Sequence, residues 1–165
     1  ALPVIQIRIG LNSGVVHAGN VGCTTRLNYT VMGAPVNLAS KLETLNRELA
    51  TTVLVSDEIR SNAGTEFAWR CLGTVIIRGF SSPVRIHEYI GRTSSLTGIQ
   101  RALLDTYAPI EAQMMEGKEV SMTELEDYSA QCPEDQVVFS YLKFSRQGGV
   151  LNVPSRSSMY VPNLI

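Results

Sequence analysis

The stretch from Gly19 to Leu45, GNVGCTTRLNYTVMGAPVNLASKLETL, admits few folds, because two hydrophobic periods meet in it across one short break. Leu27, Tyr29 and Val31 alternate with Asn28, Thr30 and Met32, which is the period of a half-buried strand. Gly33-Ala34-Pro35 ends that strand, and Pro35 suits the first helical position, where a missing N–H leaves no bond unmade. Leu38, Leu42, Leu45 and Leu49 then recur at helical spacing and give one apolar face. Asn37, Lys41, Thr44 and Glu48 repeat that spacing on a neighbouring stripe, which faces either a ligand or solvent.

The rest of the chain reads as α+β around this unit. Val4 to Leu11 is expected to be a strand with Ile5, Ile7, Ile9 and Leu11 on one face. Asn12-Ser13-Gly14 supplies a turn, after which Val15 to Ala18 returns as an antiparallel partner. Gly19-Asn20-Val21-Gly22 with Thr24 and Thr25 reads as a loop or short helical turn. Thr51 to Val55 is a β-branched strand, and Ser56-Asp57-Glu58 opens a short helix ending near Gly64. Within the central helix, Glu43 and Arg47 stand four apart in the favourable order. Phe67 to Arg78, interrupted at Gly73, pairs with Val84 to Ile90 as a hairpin.

The character changes after residue 91. Residues 92–98 read as a linker and 99–147 as a helical extension. Its first helix covers Ile99 to Ile110, and its second, Thr123 to Ala130, is opened by a capping box of Ser121 and Glu124. A third starts from Cys132-Pro133-Glu134-Asp135 and carries Val137, Val138, Tyr141, Leu142 and Phe144. Residues 148–165 read as a disordered tail.

Composition narrows the function classes. A chain of 165 residues with 44% hydrophobic and 18% charged content is globular, and holds one domain or part of one with an extension. A net charge of −1 gives no field that recruits nucleic acid or an anionic membrane. No apolar run nears the ~18 residues of a membrane span, and Ala1-Leu2-Pro3 leads straight into a strand. The absence of an initiating Met makes a piece of a longer protein the expectation, with the parent's membrane attachment left open. Cys23, Cys71 and Cys132 are far apart with no CxxC, which indicates reduced thiols in a cytoplasmic setting rather than zinc or disulfides.

Five words carry a resemblance: IGLNSG at 9–14, AGNVG at 18–22, RLNYTVMG at 26–33, VNLASKLE at 36–43 and VRIHEYIG at 84–91. In this order and at these intervals the chain resembles the class III nucleotidyl cyclases, the adenylate and guanylate cyclases, in the second half of their catalytic domain. The resemblance covers residues 3–91 and implies a ferredoxin-like α+β cyclase domain, of which 1–91 is the second half. The Pro-Glu-Asp before an apolar run also resembles extensions found after some cyclase domains.

The resemblance implies a reaction in which a nucleoside triphosphate becomes the 3′,5′-cyclic monophosphate and pyrophosphate. The 3′-hydroxyl attacks the α-phosphate in line, assisted by Mg2+ or Mn2+ and by positive charge at the reacting phosphorus. The site forms in a head-to-tail dimer with a second cyclase protomer. One protomer gives two metal-binding aspartates from the first half of the domain, so no metal ligand is assigned to this chain and the fragment alone is expected to be inactive.

The other protomer's contribution falls on Thr30, Asn37 and Lys41. Thr30 sits where the family reads the purine, and its hydroxyl both donates and accepts, which favours ATP. The companion base-reading lysine belongs to the other half, so GTP stays an alternative. Asn37 matches the asparagine that orients the ribose in the transition state. Lys41 stands where the family usually has Arg; it keeps the charge and loses the planar fork, which implies weaker activity. Asn37 and Lys41 are therefore the catalytic candidates, and all three are substrate-binding candidates.

Ala34 departs from the family's usual Asp, and Arg26 and Asn28 lie where a dimer seam or a surface is equally served. His17 and His87, each alone on a strand, read as structural. The plain alternatives are a β-branched strand residue for Thr30 and a solvated helix lysine for Lys41. Two other classes compete: a non-catalytic cyclase-like dimerisation or regulatory module, supported by Lys41 and Ala34, and an RNA-binding sheet. The second lacks the aromatic strand motif that stacks bases. A sheet without its partner strands is also expected to leave an open apolar edge.

Overall fold

The computed structural model describes residues 5–23, 26–146 and 159–160. Its elements run β1 (Ile9–Leu11), β2 (His17–Cys23), β3 (Arg26–Met32), α1 (Ala34–Leu49), β4 (Val53–Ser56), α2 (Asp57–Asn62), β5 (Phe67–Ile76) and β6 (Val84–Arg92). Three helices follow, α3 (Gly98–Met115), α4 (Met122–Gln131) and α5 (Gln136–Arg146), and then β7 (Met159–Tyr160). The main sheet has the order β1-β4-β6-β5-β7, and β2 and β3 form a separate two-stranded sheet.

The chain is α+β, as its patterning requires. β1 and β4 pair in parallel, Ile9 with Val53 and Leu11 with Val55, and α1 connects them. In a complete ferredoxin-like sheet such a βαβ unit is split by an intervening strand; here the two strands are direct neighbours. β4 then pairs with β6, and β6 with β5, both antiparallel, so the expected hairpin of 67–78 with 84–90 is present. Its register shifts between Cys71 and Thr74, at the glycine that interrupts the strand pattern.

Gly10 shows why α1 can lie so close. A Cβ placed there would stand 2.1 Å from the Ala39 carbonyl oxygen and 2.3 Å from the Glu43 nitrogen. Only a residue without a side chain lets strand and helix backbones approach to this distance. Asn46 then fastens the pair. It is fully buried on α1; its Nδ2 donates to Ile9 O at 3.0 Å and to Leu42 O at 3.0 Å, and its Oδ1 accepts from Thr51 Oγ1 at 2.7 Å. Asn46→Ala strands the buried Thr51 hydroxyl and frees the β1 carbonyl, so urea unfolding should report a loss of about 3 kcal/mol.

Several local expectations change. Residues 5–8 are not strand, so β1 is much shorter than Val4 to Leu11, and Val4 itself lies outside the described residues. Gly19 to Gly22 belong to β2 rather than to a loop, paired with β3 in the register Gly19 with Thr30 and Val21 with Asn28. Val15 to Ala18 therefore does not return along β1: His17 and Ala18 begin β2 and pair with Met32 and Val31 of β3. β3 is not half-buried either. Every residue of it is exposed, Tyr29 by 75% and Leu27 by 59%, because the hairpin stands apart from the main sheet. Ile5, at 83%, Ile7, Ile9 and Leu11 are exposed as well, and β1 is the end strand of the main sheet.

Arg47 pairs with its neighbour Glu48 at 3.3 Å, on an exposed face, instead of with Glu43. Ser56 precedes α2 but does not cap it; its hydroxyl is turned inward and has no hydrogen-bond partner. His87, buried on β6, donates from Nε2 to Asp57 Oδ1 of α2 at 2.7 Å. Burial holds its imidazole below the ordinary 6.5, outweighing the opposing pull of Asp57. An unfolded His87 takes up a proton that the folded one resists, so stability should fall as pH drops through 6.5. Thermal midpoints at pH 7.5 and 5.5 test this, and His87→Leu should narrow the gap between them.

The stretch 92–98 holds the last residue of β6, a 3-10 turn over Thr93–Ser95 and the capping box of α3, built by Thr97 and Gln100. α3 runs on through Pro109 to Met115, past the expected end at Ile110. α4 is opened by the expected capping box of Ser121 and Glu124. The three helices share one core with the sheet: Tyr107, Ile110, Met114, Leu125, Tyr128, Val137, Val138, Tyr141 and Leu142 cluster with Leu42, Leu45, Leu54, Leu72 and Ile86. The tail expected to be disordered lies outside the described residues, except that Met159–Tyr160 pair in parallel with Val75–Ile76.

Candidate active site

The strand-turn-helix unit is held at the turn from both sides. Gly14 has φ 152°, and a Cβ there would stand 2.5 Å from Pro35 Cγ, so the loop after β1 packs directly on the first turn of α1. Asn12 Nδ2 donates to the Pro35 carbonyl at 3.2 Å. Gly33 caps the helix through its carbonyl, which accepts from Val36 N at 3.1 Å and Asn37 N at 3.2 Å. The words IGLNSG and RLNYTVMG thus meet at one helix start.

Thr30 lies on β3, opposite Gly19 and three residues before the cap, with its surface exposed. Asn37 is exposed in the first turn of α1, and Lys41, one turn on, is half-buried beside the buried Leu42. The helix starts one residue after β3 ends. Thr30 is therefore about 10 Å of strand from the cap, and Asn37 about 6 Å of helix rise beyond it. The fold brings the three residues to one strand-helix junction, two of them open to solvent.

A cavity of about 490 Å³ is lined by residues 5–8 with Asn46, Arg47 and 50–52, and another of about 480 Å³ lies between the sheet and α3 and α5. Thr30, Asn37 and Lys41 line neither. Ala34 opens α1 with no acid in its first turn, where an Asp would complement the helix dipole. Arg26 and Asn28 are exposed on β3, and His17 is exposed at the start of β2. Among the described residues no group of three or more His, Cys, Asp or Glu side chains is arranged to hold a metal ion. Thr30, Asn37 and Lys41 offer no carboxylate or thiolate, so these three side chains do not fit a metal-ligand set.

Residue-by-residue reading misses the strongest electrostatic feature. Arg70, on β5 and 2% exposed, donates from Nε and Nη2 to Glu88 Oε2 of β6 at 3.0 and 2.6 Å. Its Nη1 bonds Asp135 Oδ2, and its guanidinium lies 5.0 Å above the Tyr107 ring. Burial raises the Glu88 carboxyl against the lowering pull of Arg70. Burial also pushes the neighbouring Cys71 thiol up to about 11, so it is no nucleophile at neutral pH. The signal in the sequence is a charge at an inward position of each of two paired strands, Arg70 in FAWRCLG and Glu88 in RIHEYIG.

A family model, the adenylate and guanylate cyclase catalytic domain, matches residues 3–91. The chain belongs to this family. Adenylate cyclase 1 of Rhizobium meliloti is 38% identical over 90 residues, 54% of this chain and 14% of that protein. An uncharacterised protein of Mycobacterium tuberculosis is 40% identical over 87 residues, 52% of this chain and 16% of that one. Among solved structures, the adenylyl cyclase CyaB from P. aeruginosa is 31% identical at a TM-score of 0.46, covering 59% of this chain and 48% of that one. The chain therefore spans about a seventh of the length of the curated relatives it matches.

Proposed function

We propose that this chain supplies the base-recognising and transition-state side of an adenylate cyclase site, converting ATP to 3′,5′-cyclic AMP and pyrophosphate in a dimer. The observation that carries the reading is the cyclase family match over 3–91, within which Thr30 and Asn37 flank the helix cap at Gly33. Mg2+ or Mn2+ would be held by ligands from the upstream half of the domain and would supply the charge that activates the 3′-hydroxyl and steadies the phosphates. On this chain, the Thr30 hydroxyl meets the amino edge of adenine, the Asn37 amide orients the ribose, and the Lys41 ammonium faces the charge that builds at the α-phosphate. The reaction is assigned to the cytoplasm, or to the cytoplasmic side of a membrane protein.

A chain carrying the upstream half, given Mn2+ with ATP or GTP, should release cyclic AMP in large excess over cyclic GMP. A reversed ratio would make it a guanylate cyclase. Lys41→Arg in the same chain should raise kcat several-fold, because the guanidinium restores paired donors to the phosphate oxygens. The non-catalytic module is the second reading, favoured by Lys41 and by Ala34 at the helix start. It predicts no cyclic nucleotide from either the parent sequence or the Lys41→Arg form.

A further inference from the structure

We propose that Asp135 is a positioning residue for the nucleotide site: it fixes α5 on the sheet, and α5 fixes α1, the helix carrying Asn37 and Lys41. The proposal rests on the nucleotide reading above, and concerns a residue outside the cyclase match, which ends at 91.

Asp135 is 5% exposed and joins three elements. Its carboxylate accepts from Arg70 of β5, from the Tyr128 hydroxyl of α4 at 2.8 Å, and from Val137 N at the start of α5 at 3.1 Å. It therefore caps α5 and pins that cap to the sheet with one group. The far half of α5 is pinned by Tyr141, whose hydroxyl donates to Leu72 O at 2.8 Å. α3 adds two bonds to the same irregular part of β5, with Cys71 N donating to Glu111 Oε1 at 2.7 Å and the Tyr107 hydroxyl donating to Cys71 O at 3.1 Å. The register shift in β5 leaves its backbone without a regular ladder there, and the extension's side chains complete it.

α5 in turn packs on α1. Its Val137, Val138, Tyr141 and Leu142 share a core with Leu38, Leu42, Leu45 and Leu49. Leu38 and Leu42 are the immediate sequence neighbours of Asn37 and Lys41. Asn46 fixes the C-terminal half of α1 to β1 and Asn12 holds its first turn at the Pro35 carbonyl, while between them Leu38 and Leu42 seat the site-bearing turns in the core shared with α5. Slack in α5 therefore reaches the two turns whose side chains must meet a reacting phosphate. Displacements of about 1 Å at such a place cost on the order of a hundredfold in rate.

The test uses a chain that includes the upstream half of the catalytic domain and carries Asp135→Asn. kcat and KM for Mn2+-ATP are measured well below the thermal midpoint, and amide exchange is followed over 36–44. The expected result is a fall in kcat of about tenfold with KM within about twofold, and exchange over 36–44 several-fold faster. Tyr141→Phe, which removes one hydroxyl, should shift both readouts in the same direction by less, and decides the matter if Asp135→Asn does not fold. Unchanged exchange over 36–44 with faster exchange in α5, or a loss of rate that only tracks the unfolded fraction, would overturn the proposal. Should the parent chain make no cyclic nucleotide, the nucleotide reading fails, while amide exchange still decides whether Asp135 fixes α1.

Discussion

Asn37→Ala, placed in a chain that also carries the upstream half of the domain, lowers kcat by about 10²–10³-fold and leaves KM within a few-fold. The size follows from the role proposed for Asn37. A donor aimed at the ribose as the 3′-oxygen moves in-line acts mainly in the transition state, so its loss appears in kcat. Asn37 is exposed, and its side chain has no part in the core that holds α1. The fold should therefore survive the substitution, and thermal unfolding of the variant should overlay that of the parent. A drop in activity with an intact melting curve separates this role from that of a helix asparagine that merely favours the first turn. Steady-state rates of cyclic AMP release over a range of Mn2+-ATP concentrations provide the measurement.

Arg70→Met costs about 4 kcal/mol of stability, the largest structural effect expected in the molecule. The guanidinium is the only cation in hydrogen-bond contact with both Glu88 and Asp135 among the described residues, and both carboxylates are largely or wholly buried. Removing it leaves two acids facing each other without compensation, which is far costlier than losing a surface pair. For a domain of this size the thermal midpoint should fall by about 10 °C. Neutralising the cluster together, with Arg70→Met, Glu88→Gln and Asp135→Asn, should recover much of the loss, because no uncompensated buried charge remains. Recovery would show that the single variant fails through stranded charge rather than through lost packing of the long side chain.

How far the sequence reveals the fold depends on how local the cause is. α1 is legible because its four leucines and its proline all act within one segment, and the β5–β6 hairpin because both alternating runs bracket a short loop. β2 is not, since Gly19 and Gly22 are turn residues by local preference, and only pairing with β3 makes them strand. The burial of β3 is misjudged for the same reason: alternation announces two faces but not whether anything covers one. Asn46 and Arg70 are opaque. The first bonds a carbonyl 37 positions away and the second a carboxylate 65 positions away, distances at which no periodicity speaks. The candidate site is legible only through its motif, because Thr30 alone is an ordinary strand threonine and Asn37 an indifferent helix asparagine.

The junction of β3 and α1 is proposed to face a nucleotide. Backbone amide exchange of the domain with its upstream half, with and without a non-cyclisable ATP analogue and Mn2+, tests it most directly. Protection concentrated over 28–41, spanning Thr30, Asn37 and Lys41, is the result the account requires. Protection confined to the cavity beside residues 5–8 and 46–52, with 28–41 unchanged, would contradict it.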